Sequence, residues 1–122
     1  MIYDPDKITF QETHKLMIGS IVPRPIAFVG TTSLKKVDNI APFSYFNGVC
    51  SNPPTIMFAP ARRGWDGKEK DTLVNIRDTK EFTVNIVSES FAQQMVECST
   101  DYDSNINAVS YTHLRAHETR IH

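Results

Sequence analysis

Short apolar segments, each closed by proline or glycine, recur through the first two thirds of the chain. The clearest is 25–31, which reads Pro-Ile-Ala-Phe-Val-Gly-Thr and is rich in β-forming residues. Segments this short, bounded by turn residues, predict strands rather than helices. With 122 residues, 40% of them hydrophobic, the chain has enough apolar side chains for one core. The sequence therefore predicts a single domain built mainly from a sheet, with 25–31 buried on both faces.

Three further strands are predicted after this one. Residues 39–46 and 55–59 repeat the short, proline-bounded pattern, and 81–87 alternate polar and apolar residues with period two. Pro42 lies within the second of the four strands and cannot donate to a ladder, which places that strand at an edge or a bulge.

Two short helices are predicted between and after the later strands. Residues 72–77 form the first helix, with Asp71 as its N-cap. Residues 91–98 form the second, and Ser90 with Gln93 resembles a capping box at its start. Residues 1–16 show no sustained period and are expected to be extended or briefly helical. The order strand, strand, strand, helix, strand, helix favours a mainly β fold with peripheral α-helices, in the form of an antiparallel barrel.

Charge and composition exclude several classes of partner. The net charge is −1, from 13 basic and 14 acidic residues spread along the chain, so we expect neither nucleic acid nor an anionic membrane as a partner. No apolar run is long enough to span a bilayer, and the first residues show no charged n-region followed by an apolar h-region, so we do not expect secretion. Cys50 and Cys98 lie outside any zinc-binding spacing, and we expect them to be reduced, buried thiols in a cytoplasmic protein.

The sequence contains no recognisable catalytic set. Gly-x-Ser-x-Gly, the P-loop and Gly-x-Gly-x-x-Gly are all absent. His14 is expected to be a solvated surface residue. His113 and His117 have the i, i+4 spacing of a metal pair but lack a third ligand with suitable spacing. We therefore predict neither a catalytic side chain nor a metal site.

A phosphate site is one interpretation of the segment 68–72, Lys-Glu-Lys-Asp-Thr, at the start of the first predicted helix. A helix N-terminus offers free N–H groups and partial positive charge, to which a lysine and a threonine hydroxyl add donors. The basic loop 61–70, which contains Arg62 and Arg63, must face water or an anion. An ordinary capped helix with solvated lysines explains the same residues.

A wall for a planar ligand is suggested by residues 39–47, where Asn39, Ser44, Tyr45 and Asn47 are interleaved with Phe43 and Phe46. Amide and hydroxyl groups over a flat apolar surface suit a heteroaromatic ring. Core aromatic residues with a polar outer face give the same pattern. Arg24, between two prolines at a strand entrance, is expected to project outward.

These segments, taken in order, resemble the flavin-reductase-like, FMN-binding split-barrel family. The resemblance rests on the segments Pro23–Thr31, Asn39–Phe46, Asn52–Pro54, Lys70–Ile76 and Glu81–Val87. It implies a split β-barrel and a homodimer with FMN at the interface. It also implies FMN-binding residues in three places, near the Pro-Arg-Pro segment and its strand, along the second strand, and at the helix start: Arg24, Thr31, Thr32, Asn39, Ala41, Pro42, Phe43, Ser44, Tyr45, Lys70, Asp71 and Thr72.

The implied function is an FMN-dependent oxidoreductase. NAD(P)H would pass hydride to the flavin, and the reduced flavin would serve a partner oxygenase or another acceptor. The flavin supplies the chemistry, so no catalytic side chain is required. Two alternatives share the same barrel: a non-catalytic FMN-binding or storage protein, and an enzyme resembling pyridoxamine-phosphate oxidase.

The sequence departs from the family pattern in two places. The connection 33–38 has no glycine where the family usually has a glycine-containing hairpin turn. Family members are longer, and the resemblance stops near Asn107, before the last barrel strands. We therefore predict a partial domain over 1–108, incomplete at its C-terminus, and a non-native, adapter-like tail over 109–122.

Overall fold

The computed structural model describes residues 1–61, 67–99 and 120–121. Helices and strands follow one another in this order: α1 (Phe10–Ser20), β1 (Ala27–Thr32), β2 (Asp38–Phe43), β3 (Phe46–Ser51), β4 (Pro54–Phe58), α2 (Asp71–Thr79), β5 (Thr83–Ile86), α3 (Ala92–Glu97) and β6 (Arg120–Ile121). Short 3-10 turns at Pro5–Lys7 and Glu89–Phe91 precede α1 and α3.

The described strands form two antiparallel sheets. One has the order β2-β1-β5-β6, and the other is the hairpin β3-β4. The predicted antiparallel, mainly β architecture is confirmed, and these strands do not close a barrel. Pro42 pairs with Phe28 on β2, which lies at the edge of the larger sheet, as the proline predicts.

The larger sheet carries a core on each face. Successive residues of β1 point to opposite sides, so Ala27 and Val29 face the β3-β4 hairpin while Phe28 faces α3. On the hairpin side Ala27 and Val29 pack with Phe43 and Val84, against Phe46 and Phe58. On the α3 side Phe28 packs with Ile40, Phe91 and Cys98. All three residues Ala27, Phe28 and Val29 are buried, which confirms the predicted two-sided burial of this strand.

Two elements differ from the sequence-based expectation. α1 is a full helix of 11 residues, where residues 1–16 were expected to be extended or only briefly helical. The signal was a capping box: Thr9 accepts a hydrogen bond from the N–H of Glu12 at 3.2 Å. The predicted strand 39–46 ends at Phe43, and a separate strand, β3, begins at Phe46. Its pairing with β4, rather than any local apolar pattern, makes 46–51 a strand.

Helix starts also differ in detail. The N-cap of α2 is Lys70, and Asp71 is its first helical residue, so the prediction of Asp71 as N-cap was wrong by one position. No side chain caps α3; the Ser90 hydroxyl instead lies 2.8 Å from that of Ser88. Cys98 is buried as predicted, whereas Cys50 is exposed on β3, contrary to the prediction.

Candidate functional site

Four polar residues join α2 to one end of the larger sheet. Asn39 Nδ2 donates to Thr72 Oγ1 at 3.1 Å, and Asn75 Nδ2 donates to Thr31 Oγ1 at 3.1 Å. Thr31 and Asn39 are directly paired across β1 and β2. We call Thr31, Asn39, Thr72 and Asn75 the polar brace. The structure thus brings together three of the predicted site residues and adds Asn75, which sequence reasoning missed although its spacing from Thr72 puts both on one helix face.

The start of α2 holds one basic and one acidic side chain, Lys70 at the N-cap and Asp71 in the first turn. The Lys70 side chain makes no capping hydrogen bond. The Lys70 ammonium lies 5.3 Å from the centroid of the Phe43 ring, which is buried in the core on the hairpin side. Lysine at this position adds to the positive end of the helix dipole instead of neutralising it, so an anion there would be stabilised by both.

Glu69, which precedes Lys70, forms an ion pair with the last turn of the helix. Glu69 accepts hydrogen bonds at both carboxylate oxygens from Arg77, at 2.8 and 3.2 Å. This pairing and the negative charge of Glu69 raise the pKa of Arg77 above its ordinary value, with a small opposing effect of burial. Arg77 therefore ties the segment before α2 to the last turn of the helix.

Arg24 turns back onto α1 instead of projecting outward. Its Nη1 donates to the carbonyl oxygens of Ile18 at 3.1 Å and Ile21 at 2.9 Å, at the C-terminal end of the helix. Its guanidinium carbon lies 5.9 Å from the centroid of the Tyr45 ring, and its Nε is buried without a hydrogen-bond partner. The expectation of an outward Arg24 was therefore wrong, because helix carbonyl groups at the end of α1 offer it acceptors.

Tyr45 links the end of β2 to α1. A hydrogen bond of 2.9 Å joins its hydroxyl to Nδ1 of His14, and the two rings meet edge to face. His14 is exposed, as predicted, but has a specific partner that the sequence did not reveal. A shallow cavity of about 430 Å³ lies beside this pair and is lined by Pro5, Ile8, Phe10, Thr13, His14, Met17 and Tyr45.

The remaining predicted site residues are distributed around β2 and α2. Thr32 points to the opposite face of the sheet from Thr31, and its hydroxyl donates to Asp38 at 2.8 Å. Ala41 packs against the core on the hairpin side. Ser44 and Asp71 are half-buried. Because side chains alternate along β1, Thr32 lies on the opposite face of the sheet from the polar brace.

A larger groove of about 760 Å³ runs along the β3-β4 hairpin and reaches β5. Its lining residues are Phe46, Gly48, Val49, Cys50, Ser51, Pro54, Thr55, Ile56, Phe82 and Val84. Val49 and Ile56 are about half exposed, so much of the hairpin's apolar surface is uncovered.

The described residues contain neither a metal centre nor a membrane-spanning helix. In 1–61, 67–99 and 120–121, no three His, Cys, Asp or Glu residues are grouped so that they could hold a metal ion. Within the same ranges no helix is long and apolar enough to cross a bilayer. The predicted basic residues Arg62 and Arg63 and the pair His113 and His117 lie outside the described residues.

Comparison with known proteins identifies the family. The sequence model of the flavin reductase like domain matches residues 17–121. A curated protein from Aquifex aeolicus is 44% identical over 94 residues, which are 77% of this chain and 47% of that protein. The chain belongs to the flavin reductase like domain family. It spans about half the length of the curated relatives that it matches.

Solved structures of similar proteins agree with the assignment of this chain to the flavin reductase like family. Nitrilotriacetate monooxygenase component B from Bacillus cereus superimposes with a TM-score of 0.83 and 35% sequence identity, over 93% of this chain and 55% of that one. A putative flavin reductase with a split barrel domain from Shewanella frigidimarina shares the fold, with a TM-score of 0.67 and 21% identity, over 93% of this chain and 56% of that one. The fold is therefore that of split-barrel flavin reductases, and the strands of the described residues leave the barrel open.

Proposed function

We propose that this chain is part of an FMN-dependent NAD(P)H:flavin reductase that supplies reduced flavin to a partner oxygenase or another acceptor. The observation that carries the proposal is the uncapped, lysine-bearing start of α2 in a chain of this family. Similarity to a monooxygenase component supports the oxygenase as acceptor.

The residues at the start of α2 fit the phosphate of FMN. Lys70 lies at the positive end of the helix dipole without a capping bond, and Glu69 is paired with Arg77. A phosphate group would interact favourably with the Lys70 ammonium and the helix dipole, and the Asp71 carboxylate in the first turn would oppose it. Lys70, Asp71 and Thr72 would lie at this end of the cofactor, where only Lys70 would contact the phosphate through a charged group of opposite sign. The Thr72 hydroxyl already accepts a bond from Asn39, so its contribution would be to fix the helix.

The residues from Asn39 to Tyr45 would bind the flavin ring. FMN, when bound, accepts hydride from NAD(P)H and passes electrons onward. The chain's own residues would orient the ring and exclude water from it: Ser44 and Tyr45 follow β2 directly, and Tyr45 is fixed by His14 and Arg24. No side chain in this set is needed as an acid or a base.

We propose a homodimer with FMN at the interface. The uncovered apolar surface of the β3-β4 hairpin supports it, because Val49 and Ile56 are 57% and 50% exposed. Contiguous apolar surface of this kind is typical of an interaction site.

The experiment that tests this function is steady-state oxidation of NADH and of NADPH with and without added FMN. Oxidation that depends on FMN, together with reduction of the flavin seen by loss of its visible absorbance, is the expected result. FMN binding without oxidation of either nucleotide would contradict the reductase and favour an FMN-storage protein. Oxidation of pyridoxamine phosphate instead would favour a pyridoxamine-phosphate-oxidase-like enzyme.

A further inference from the structure

The most deeply buried side chains of α2 are polar, while its apolar Leu73 and Ile76 are half-buried. Its two buried residues are Thr72 and Asn75, at 1% and 7% exposure, and neither is apolar. Apolar packing is non-directional and tolerates small shifts of a helix, whereas a hydrogen bond between buried groups requires defined distances and angles. The position of α2 therefore depends on the bonds that these two side chains make.

The polar brace defines that position in two directions. Thr72 and Asn75 lie three residues apart on one face of α2, and their partners Asn39 and Thr31 are neighbours across β1 and β2. Two bonds nearly one helical turn apart fix both the rotation of the helix about its axis and its position along it. A single bond would leave the helix free to pivot.

We infer that Asn75, acting through Thr31, is a positioning residue for the anion-binding first turn of α2. This inference rests on the proposed function, because it concerns the phosphate end of the same site. Lys70 lies over the Phe43 ring only while α2 keeps its orientation, since Phe43 belongs to the sheet and Lys70 to the helix. Loss of the Asn75 bond lets α2 rotate about the Asn39–Thr72 bond and moves the Lys70 ammonium away from the bound phosphate.

The inference predicts an effect on discrimination between two ligands. Riboflavin has the same ring as FMN but lacks the phosphate, so it makes no contact with the first turn of α2. Displacement of that turn weakens FMN and leaves riboflavin unchanged. A general loss of stability would lower the apparent affinity for both ligands by the same factor, because only folded protein binds.

The test is fluorescence titration of the full chain with FMN and with riboflavin, for wild type, Asn75→Leu and Thr31→Val. We expect the ratio of the riboflavin to the FMN dissociation constant to fall about tenfold in both variants, the loss of roughly one charge-assisted hydrogen bond. The double variant is expected to lose no more than either single one, because both remove the same bond. The matched control is Phe91→Leu, which lowers stability on the other face of the sheet and is expected to leave the ratio unchanged.

The outcomes separate the inference from the function on which it rests. A wild-type chain that binds FMN and riboflavin equally would reject the phosphate site itself. A wild type that prefers FMN, with the same preference in Asn75→Leu, would reject the positioning role alone. Equal losses for both ligands in Asn75→Leu and in Phe91→Leu would also overturn it, and Thr31→Val gives the same decision if Asn75→Leu does not fold.

Discussion

At the start of α2 the N-cap position holds Lys70, where a side chain that accepts hydrogen bonds from the first turn is usual. The neighbouring carboxylate of Glu69 is engaged by Arg77 at the other end of the helix. The charge of the first turn therefore depends on a partner two turns away. This ion pair and the Asp71 carboxylate of the first turn together influence the charge of the candidate phosphate site.

Arg77→Ala is expected to weaken FMN binding by about threefold at low ionic strength, because it releases the Glu69 carboxylate near Lys70. That carboxylate would repel the phosphate and partly neutralise the Lys70 ammonium. The measurement is FMN titration at two salt concentrations. Adding Glu69→Gln to Arg77→Ala should restore most of the affinity, since it removes the released charge. An Arg77→Ala variant with unchanged affinity at low salt would contradict this account of the ion pair.

Arg24 holds the C-terminal end of α1 through hydrogen bonds to its carbonyl groups. Arg24→Ala removes two hydrogen bonds to the end of α1 and the contact with Tyr45, and should make the amides of α1 exchange with solvent faster. Amide hydrogen exchange measures this directly, with β1 as the internal reference. Lys15→Ala, an exposed change on the same helix, is the matched control. Unchanged exchange in α1 would show that Arg24 does not hold the helix.

Among the elements, β1 brings Gly30 close to a side chain of the neighbouring strand β5. A Cβ at Gly30 would lie 2.7 Å from Thr83 Oγ1 on the neighbouring strand β5. Gly30→Ala should lower the free energy of unfolding by about 1 kcal/mol, because the exposed Thr83 side chain must leave its rotamer to make room. Denaturant unfolding measures the change. Thr83→Ala should relieve most of it in the double variant, and simple additivity of the two changes would contradict a steric cause.

The sequence predicted elements where a local signal was complete. β1 was predicted from its apolar run and β5 from the alternation of polar and apolar residues. α2 was predicted because its apolar residues recur at helical spacing. β3 was missed since residues such as Gly48 and Ser51 carry no β signal, and pairing with β4 makes them a strand. In the candidate site, Lys70, Phe43, Thr31, Asn39 and Thr72 were predicted and lie together. Asn75 could not be recognised, because its role depends on a hydrogen bond to a residue 44 positions away.

For the molecule as a whole, the predicted non-native tail, 109–122, is described only at residues 120–121. Tyr111 and Leu114 lie outside the described residues, and the described part of the predicted tail is β6, whose backbone pairs with Val84 and Asn85 of β5. The family match extends to residue 121. We propose, as the sequence predicts, that 109–122 is not a native part of the barrel.

Deletion of residues 109–122 is therefore expected to change the melting temperature by no more than about one degree, because a two-residue strand contributes little by itself. Thermal unfolding followed by circular dichroism gives the comparison. A substitution of Ile86, exposed on β5, by threonine serves as a control for small surface changes on the same strand. A fall of several degrees on deletion would show that β6 belongs to the fold.

We propose above all that this chain binds FMN with its phosphate at the start of α2. The most direct measurement is the affinity of wild type and Lys70→Ala for FMN and for riboflavin, with Lys80→Ala, at the opposite end of the same helix, as the control. We predict that Lys70→Ala weakens FMN about tenfold and leaves riboflavin nearly unchanged, as the loss of one charge-assisted hydrogen bond requires. Equal losses for the two ligands, or none for either, would contradict the claim.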